Sequence, residues 1–219
     1  MFPPLTDVVA LFGVAVVACA ACLRLSSLVF TTTDRANAKG RLLVGICFVV
    51  MWILVGAAHL PVAAYLRGVT SDFSVSLVVL AALNLISRLF GLKLFDRREG
   101  QAVFYVVVAA ALFVYPSALG WGNWDAYRLG WGSAGMWAGL LLVSVVCWVA
   151  GLRLLPLLIA LAMASWTAQL MESTNLWDYL FDPWLATAAI FKSGAAATTQ
   201  LRGRFPHKKN VGKITGEIV

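Results

Sequence analysis

Six apolar segments, each close to the roughly 20 residues that cross a bilayer as a helix, dominate this sequence. Hydrophobic residues make up 61% of the chain and charged residues 12%, whereas soluble domains average about 45–50% and about 25%. The runs are too continuous for the alternating strands of a membrane barrel. The sequence therefore predicts an all-α, polytopic integral membrane helical bundle with six transmembrane helices, at about residues 8–30, 42–61, 73–95, 102–119, 134–150 and 154–171.

The basic residues predict the orientation of this bundle, because cytoplasmic loops are enriched in Lys and Arg. With six crossings, Arg67 and Arg128 fall on one side of the membrane and nine basic residues fall on the other. We therefore expect a location in the bacterial inner (plasma) membrane with the N-terminus outside. The nine cytoplasmic residues are Arg24, Arg35, Lys39, Arg41, Arg88, Lys93, Arg97, Arg98 and Arg153.

The C-terminal stretch 174–191, TNLWDYLFDPWLATAAIF, can be placed in two ways. Asn175 and the pair Asp182-Pro183 are helix start signals, so we predict a short helix near residues 176–181, a break and a second helix from Pro183. Only nine residues then precede Lys192, too few to cross at about 1.5 Å per residue. We favour an amphipathic or re-entrant surface helix over a true seventh crossing, although a crossing would bring six more basic residues to the cytoplasmic side.

The chain is accordingly expected to divide into a transmembrane bundle domain, residues 1–191, and a basic, flexible tail, residues 192–219. The tail is small, polar and basic, and it lacks apolar periodicity. Its charge fits anionic lipid headgroups. Membrane lipids and other membrane protein subunits are the expected partners, and nucleic acid is not.

Two outer segments resemble each other, Asn123-Trp124-Asp125-Ala126-Tyr127 and Asn175-Leu176-Trp177-Asp178-Tyr179. They are either parts of an interfacial aromatic belt or one composite outer face that contacts a partner or a substrate. The candidate residues of that outer face are Trp124, Asp125, Tyr127, Arg128, Glu172, Trp177, Asp178, Asp182 and Trp184.

Four polar side chains are predicted to lie within the spans, namely His59, Asn84, Arg88 and Gln169. Ionisable groups inside a membrane are candidate functional residues, for a proton relay or a substrate path. The alternative is structural: interhelical hydrogen bonds, and snorkelling of Arg88 to the interface.

Catalytic motifs are scarce. Cys19 and Cys22 form a Cys-x-x-Cys pair, but they lie inside an apolar helix, where packing of small residues explains them better than redox chemistry. Gly135 and Gly139 have the spacing of closely packed helices. No Ser/His/Asp set, nucleotide-binding glycine motif or metal-spaced acids occur, so no catalytic residue, cofactor or metal site is predicted.

These observations favour a non-enzymatic subunit or accessory protein of a membrane complex that contacts partners or lipids through its aromatic and acidic outer face. The alternative is a small transporter or lipid-translocating protein that uses the intramembrane polar residues. A membrane-embedded enzyme acting on a lipid-linked substrate is the third hypothesis.

Overall fold

The computed structural model describes residues 4–29, 36–55 and 59–204. No β-strand occurs in these ranges, which confirms the all-α prediction. The helices are α1 (Leu5–Val29), α2 (Ala36–Ile53), α3 (Val62–Thr70), α4 (Val75–Phe90), α5 (Arg97–Ala118), α6 (Ala134–Val149), α7 (Leu154–Thr167), α8 (Leu176–Leu180) and α9 (Pro183–Arg204), with a 3₁₀ helix at Ala126–Trp131.

Each predicted apolar segment contains one longer helix: α1, α2, α4, α5, α6 or α7. Two helices, over Leu5–Ser27 and Arg97–Ala118, are long and apolar enough to cross a membrane. Core helices of soluble proteins and signal sequences meet the same criterion, so these two support a membrane protein but not a number of crossings. Helices α4, α6 and α7 contain 16, 16 and 14 residues and end earlier than predicted.

The second predicted segment is wrong at its C-terminal end. It was expected to continue to Pro61, but α2 ends at Ile53 and a separate helix, α3, begins at Val62. Pro61 lies just before α3 in an extended conformation, with φ −64° and ψ 152°. A proline in the middle of a helix removes a hydrogen bond and clashes with the preceding turn. His59 therefore lies in a connection, exposed and with φ 58°, and not within a helix.

The predicted break near residue 181 is confirmed, because α8 ends at Leu180 and α9 begins at Pro183. The predicted surface position of this stretch is wrong. Leu176, Tyr179, Leu180 and Phe181 are all buried, since α4, α7 and the 3₁₀ helix pack around α8. The short helix is part of the protein core.

Helix α9 is longer than predicted and runs antiparallel to α5. Near its start, the Phe181 ring packs on Tyr115, with centroids 5.6 Å apart. Eleven residues later, the Lys192 ammonium lies 4.2 Å from the centroid of Phe104. The predicted boundary at residue 192 thus falls inside a helix that continues to Arg204. Residues 205–219 of the predicted tail lie outside the described ranges.

The long helices alternate in direction, so the bundle has two distinct ends. Helices α1, α4 and α9 begin, and α5 and α7 end, at the acidic end, which carries Asp7, Asp72, Glu172, Asp178 and Asp182. The opposite, basic end carries Arg24, Arg88, Arg97 and Lys192. The candidate functional site lies at the acidic end.

Candidate functional site

A cavity of about 1040 Å³ occupies the acidic end of the bundle. Its wall combines carboxylates with aromatic rings and contains a single arginine, Arg67. The five carboxylates are half of the ten acidic residues in the whole sequence. The aromatic residues of the wall are Trp52, Tyr115, Tyr127, Trp177, Phe181 and Trp184.

Arg67, on α3, binds three of these carboxylates. Its guanidinium donates to Asp72 at 2.5 and 3.1 Å, to Asp7 at 2.6 Å and to Glu172 at 2.8 Å. The Asp72 hydrogen bonds raise the pKa of Arg67 above its ordinary value, although an arginine stays protonated in any case. The cluster joins the start of α1, the loop after α3 and the loop after α7. It holds these segments together and still leaves three negative charges against one positive charge.

Asp178 receives only neutral donors. The Tyr127 hydroxyl donates to its two carboxylate oxygens at 2.8 and 3.0 Å, and the Ser173 hydroxyl donates as well. Burial, followed by the hydrogen bond to Asp178, raises the pKa of Tyr127 above its ordinary value. Tyr127 therefore remains a donor at neutral pH, and the negative charge of Asp178 is solvated by hydroxyl groups without being cancelled.

Asp182 has a structural role in addition to its place in the cavity wall. It is 7% exposed. Its carboxylate accepts the backbone N–H of Leu185 at 2.7 Å, which caps α9, and the N–H of Ser74 at 2.7 Å, just before α4. An anion at a helix N-terminus is favoured by the helix dipole. Asp182 thus fixes the start of α9 against the start of α4.

The two similar outer segments pack against each other. Asn175 donates from its side-chain amide to the carbonyl of Tyr127 at 3.0 Å, and the Trp177 indole donates to the carbonyl of Ala126 at 3.1 Å. Gly130 permits this approach, because a Cβ at that position would overlap the Asn175 side chain. The sequence similarity therefore corresponds to one composite structure.

The remaining predicted outer-face residues are dispersed. Asp125 caps the 3₁₀ helix by accepting the Tyr127 N–H at 2.9 Å. Arg128 is exposed, and Trp124 is 55% exposed with its ring against Phe113. Trp184 lines the cavity and donates to the carbonyl of Thr70 at 3.2 Å. Of the nine predicted residues, Trp124, Asp125 and Arg128 do not line the cavity.

None of the four predicted intramembrane polar residues lines the cavity. His59 and Gln169 are exposed and have positive φ angles, and Gln169 follows the C-terminal end of α7. Asn84 is half-buried on α4. Arg88 is exposed and donates to the Ser27 hydroxyl at 3.4 Å, towards the basic end. These residues are not gathered into one path.

Sequence reasoning missed Arg67, Asp7 and Asp72 as site residues. Arg67 had been counted only as a charge on the outer side. The available signal was its isolation, because it is one of two basic residues on a side that holds most of the acidic ones. Such an arginine is expected to be bound by carboxylates.

The cavity has the features of a site for an organic cation. Its formal charge is strongly negative, and aromatic faces attract cations. The Tyr115 hydroxyl and the Trp52 indole N–H are buried without a hydrogen-bond partner in the described part of the chain, and both residues line the cavity. Among the described residues no group of three side chains is arranged to hold a metal ion. No family model, curated protein or solved structure matches this chain.

Proposed function

We propose that this protein is a polytopic membrane protein that recognises a small organic cation in the cavity at its acidic end, as the binding step of a transporter. The observation that carries the proposal is the cavity wall, in which five carboxylates face one arginine among six aromatic residues. The volume of about 1040 Å³ lies at the upper end of the usual range for small-molecule sites, about 300–1,000 Å³. Ammonium and quaternary ammonium groups fit this combination of charge and aromatic surface.

A membrane location is supported by the surface of the bundle. On α6, the side chains of Leu141, Leu142, Val145 and Val149 are each more than half exposed. Soluble monomers rarely expose a continuous apolar face of this kind. Lipid would cover it in a bilayer.

We further propose seven crossings, by α1, α2, α4, α5, α6, α7 and α9, in place of the six first expected. The antiparallel packing of α9 on α5 favours this arrangement, since α5 is itself one of the two candidate spans. The end of α9 then joins Arg24, Arg88 and Arg97 on the cytoplasmic side, as the positive-inside rule requires. A reporter fused after residue 219 that is active only outside would refute this topology by giving a signal.

Binding can be tested with benzyltrimethylammonium, its uncharged analogue neopentylbenzene and the anion benzoate. The protein is reconstituted in nanodiscs, and quenching of tryptophan fluorescence is followed, because three tryptophans line the cavity. We expect saturable binding of the cation alone. Equal binding of the uncharged analogue would contradict the proposed recognition by charge.

Two matched variants locate the site. Asp178→Asn removes a cavity charge and is expected to weaken cation binding by about tenfold or more, since a charged hydrogen bond or ion contact in a semi-buried site contributes about 1.5–3 kcal/mol. Asp125→Asn removes a charge at the same end, outside the cavity, and asparagine can still cap the 3₁₀ helix. An equal loss in both variants would indicate a diffuse surface effect.

A second candidate function is the non-enzymatic subunit or accessory protein first expected. It is favoured by Trp121, Trp124 and Trp131, which are 75%, 55% and 55% exposed. Tryptophan is enriched in the binding cores of protein interfaces. Cross-linking in native membranes separates the two candidates: an accessory subunit gives a stoichiometric adduct through this tryptophan face, and a transporter of one chain does not.

A further inference from the structure

A second cavity, of about 290 Å³, lies at the basic end between the first two turns of α5 and the middle of α9. Its wall includes Arg97, Gln101, Phe104, Tyr105, Lys192 and Ser193. The distance along α5 from Arg97 to Tyr115 is about 27 Å at 1.5 Å per residue, so this cavity is separate from the acidic one and does not depend on the function proposed for it.

The charge around this second cavity is positive and unpaired. Arg97 and Lys192 line it, and Arg24 and Arg88 lie close enough to repel the Lys192 ammonium. Every ion pair among the described residues involves Arg67 at the other end, so none of these four cations has a carboxylate partner.

The carboxylates nearest to this cavity are engaged with backbone groups. Asp96 and Glu99 form a capping box at the start of α5. Glu99 accepts the Asp96 N–H at 3.0 Å with one oxygen and the Arg153 N–H at 2.8 Å with the other. Both acids hold the helix start and the neighbouring loop, and they leave the basic side chains available for an external anion.

Two details indicate a built site and not a solvated patch. The Lys192 ammonium is held 4.2 Å from the centroid of Phe104, a cation–π distance. The Ser193 hydroxyl, in the same cavity wall, is buried without a hydrogen-bond partner. Buried hydroxyl groups are normally hydrogen-bonded, so an unpaired one beside two cations points to an acceptor from outside the chain.

We propose that this cavity binds a phosphate group through Arg97, Lys192 and Ser193, as the headgroup of an anionic phospholipid. Guanidinium and ammonium groups are strong phosphate donors. Basic sites between helices at the cytoplasmic end of a membrane protein take such headgroups, and the exposed ring of Tyr105 at the rim suits an acyl-chain boundary. Lys192 thus becomes a ligand-binding residue in the middle of α9.

The test is a titration of the full chain, purified in detergent, with phosphatidylglycerol, phosphatidylcholine or inorganic phosphate, with bound lipid counted by native mass spectrometry. We expect phosphatidylglycerol to bind at least tenfold more tightly than phosphatidylcholine. Lys192→Met should abolish most of this preference, whereas Lys93→Met, an exposed lysine at the same end outside the cavity, should retain it.

Each outcome is decisive. An equal effect of Lys192→Met and Lys93→Met would overturn the proposal in favour of diffuse attraction. Competition by millimolar inorganic phosphate, lost in Lys192→Met, would keep the phosphate site and identify the free anion as its ligand. Should Lys192→Met fail to fold, Ser193→Ala removes only the unpaired hydroxyl, and an unchanged lipid preference in that variant would also count against the site.

Discussion

Arg67 is the residue whose removal discriminates most sharply between the carboxylates around it. Arg67 and Asp72 are 19% and 18% exposed, so their two hydrogen bonds are largely buried. A hydrogen bond to a charged group contributes about 1.5–3 kcal/mol. Asp7 is 33% exposed and is expected to add about 1 kcal/mol, and Glu172, 65% exposed, about 0–1 kcal/mol because surface pairs are screened by solvent.

Arg67→Met should therefore lower the free energy of unfolding by about 3–4 kcal/mol, close to the cost of leaving a buried charge without its partner. Thermal unfolding in a fixed detergent, with a shift of about 2–4 °C per kcal/mol for a chain of this size, should fall by roughly 6–16 °C. The double variant Arg67→Met/Asp72→Asn should recover part of the loss, because it removes the stranded carboxylate.

The single carboxylate variants give the internal control. We expect the loss of stability to decrease in the order Asp72→Asn, Asp7→Asn, Glu172→Gln, following their burial. Cation affinity should change in the opposite sense in Arg67→Met, since the cavity gains one net negative charge. The reasoning is refuted if Glu172→Gln costs as much as Asp72→Asn, or if Arg67→Met unfolds at the wild-type temperature.

Two further predictions concern backbone positions. Gly130→Ala should destabilise the protein by about 1–3 kcal/mol, since its Cβ would overlap the Asn175 side chain, whereas Gly139→Ala on α6 meets no atom within 4 Å and should stabilise it by about 0.5–1 kcal/mol; similar melting temperatures for the two would contradict the packing described. Asp182→Ala should cost about 2–4 kcal/mol, because two backbone N–H groups lose their acceptor, and Asp182→Asn, which keeps an acceptor, should cost less than 1 kcal/mol; protease resistance of the start of α9 reports the difference.

Local features of the fold could be predicted from the sequence. The six longer helices follow from apolar runs, and the break before α9 follows from Asp182-Pro183, a capping side chain before a proline at the first helical position. The end of α2 could not be placed, because apolar residues continue up to Pro61. The composite of the two Asn-Trp-Asp-Tyr segments was suggested by their similarity, but their hydrogen bonds were not.

The cavity depends on tertiary structure. Arg67 collects carboxylates that lie 60 residues before it and 105 residues after it. Nothing in the local sequence of Arg67 specifies Asp7 or Glu172, and apolar periodicity does not report on loops. The Gly135–Gly139 spacing was likewise misleading, because a Cβ at either glycine would meet open space and not a neighbouring helix.

The C-terminal stretch was misjudged because Lys192 was treated as the end of an apolar segment. Its ammonium lies on the Phe104 ring, so the helix continues through the lysine and does not stop there. A side chain of this length can place its charge on an aromatic face or at an interface while its stem covers apolar surface. The length argument against a crossing therefore began its count at the wrong residue, and the charge argument for one gains weight: α9 carries Lys192 to the end of the bundle where Arg24, Arg88 and Arg97 already lie.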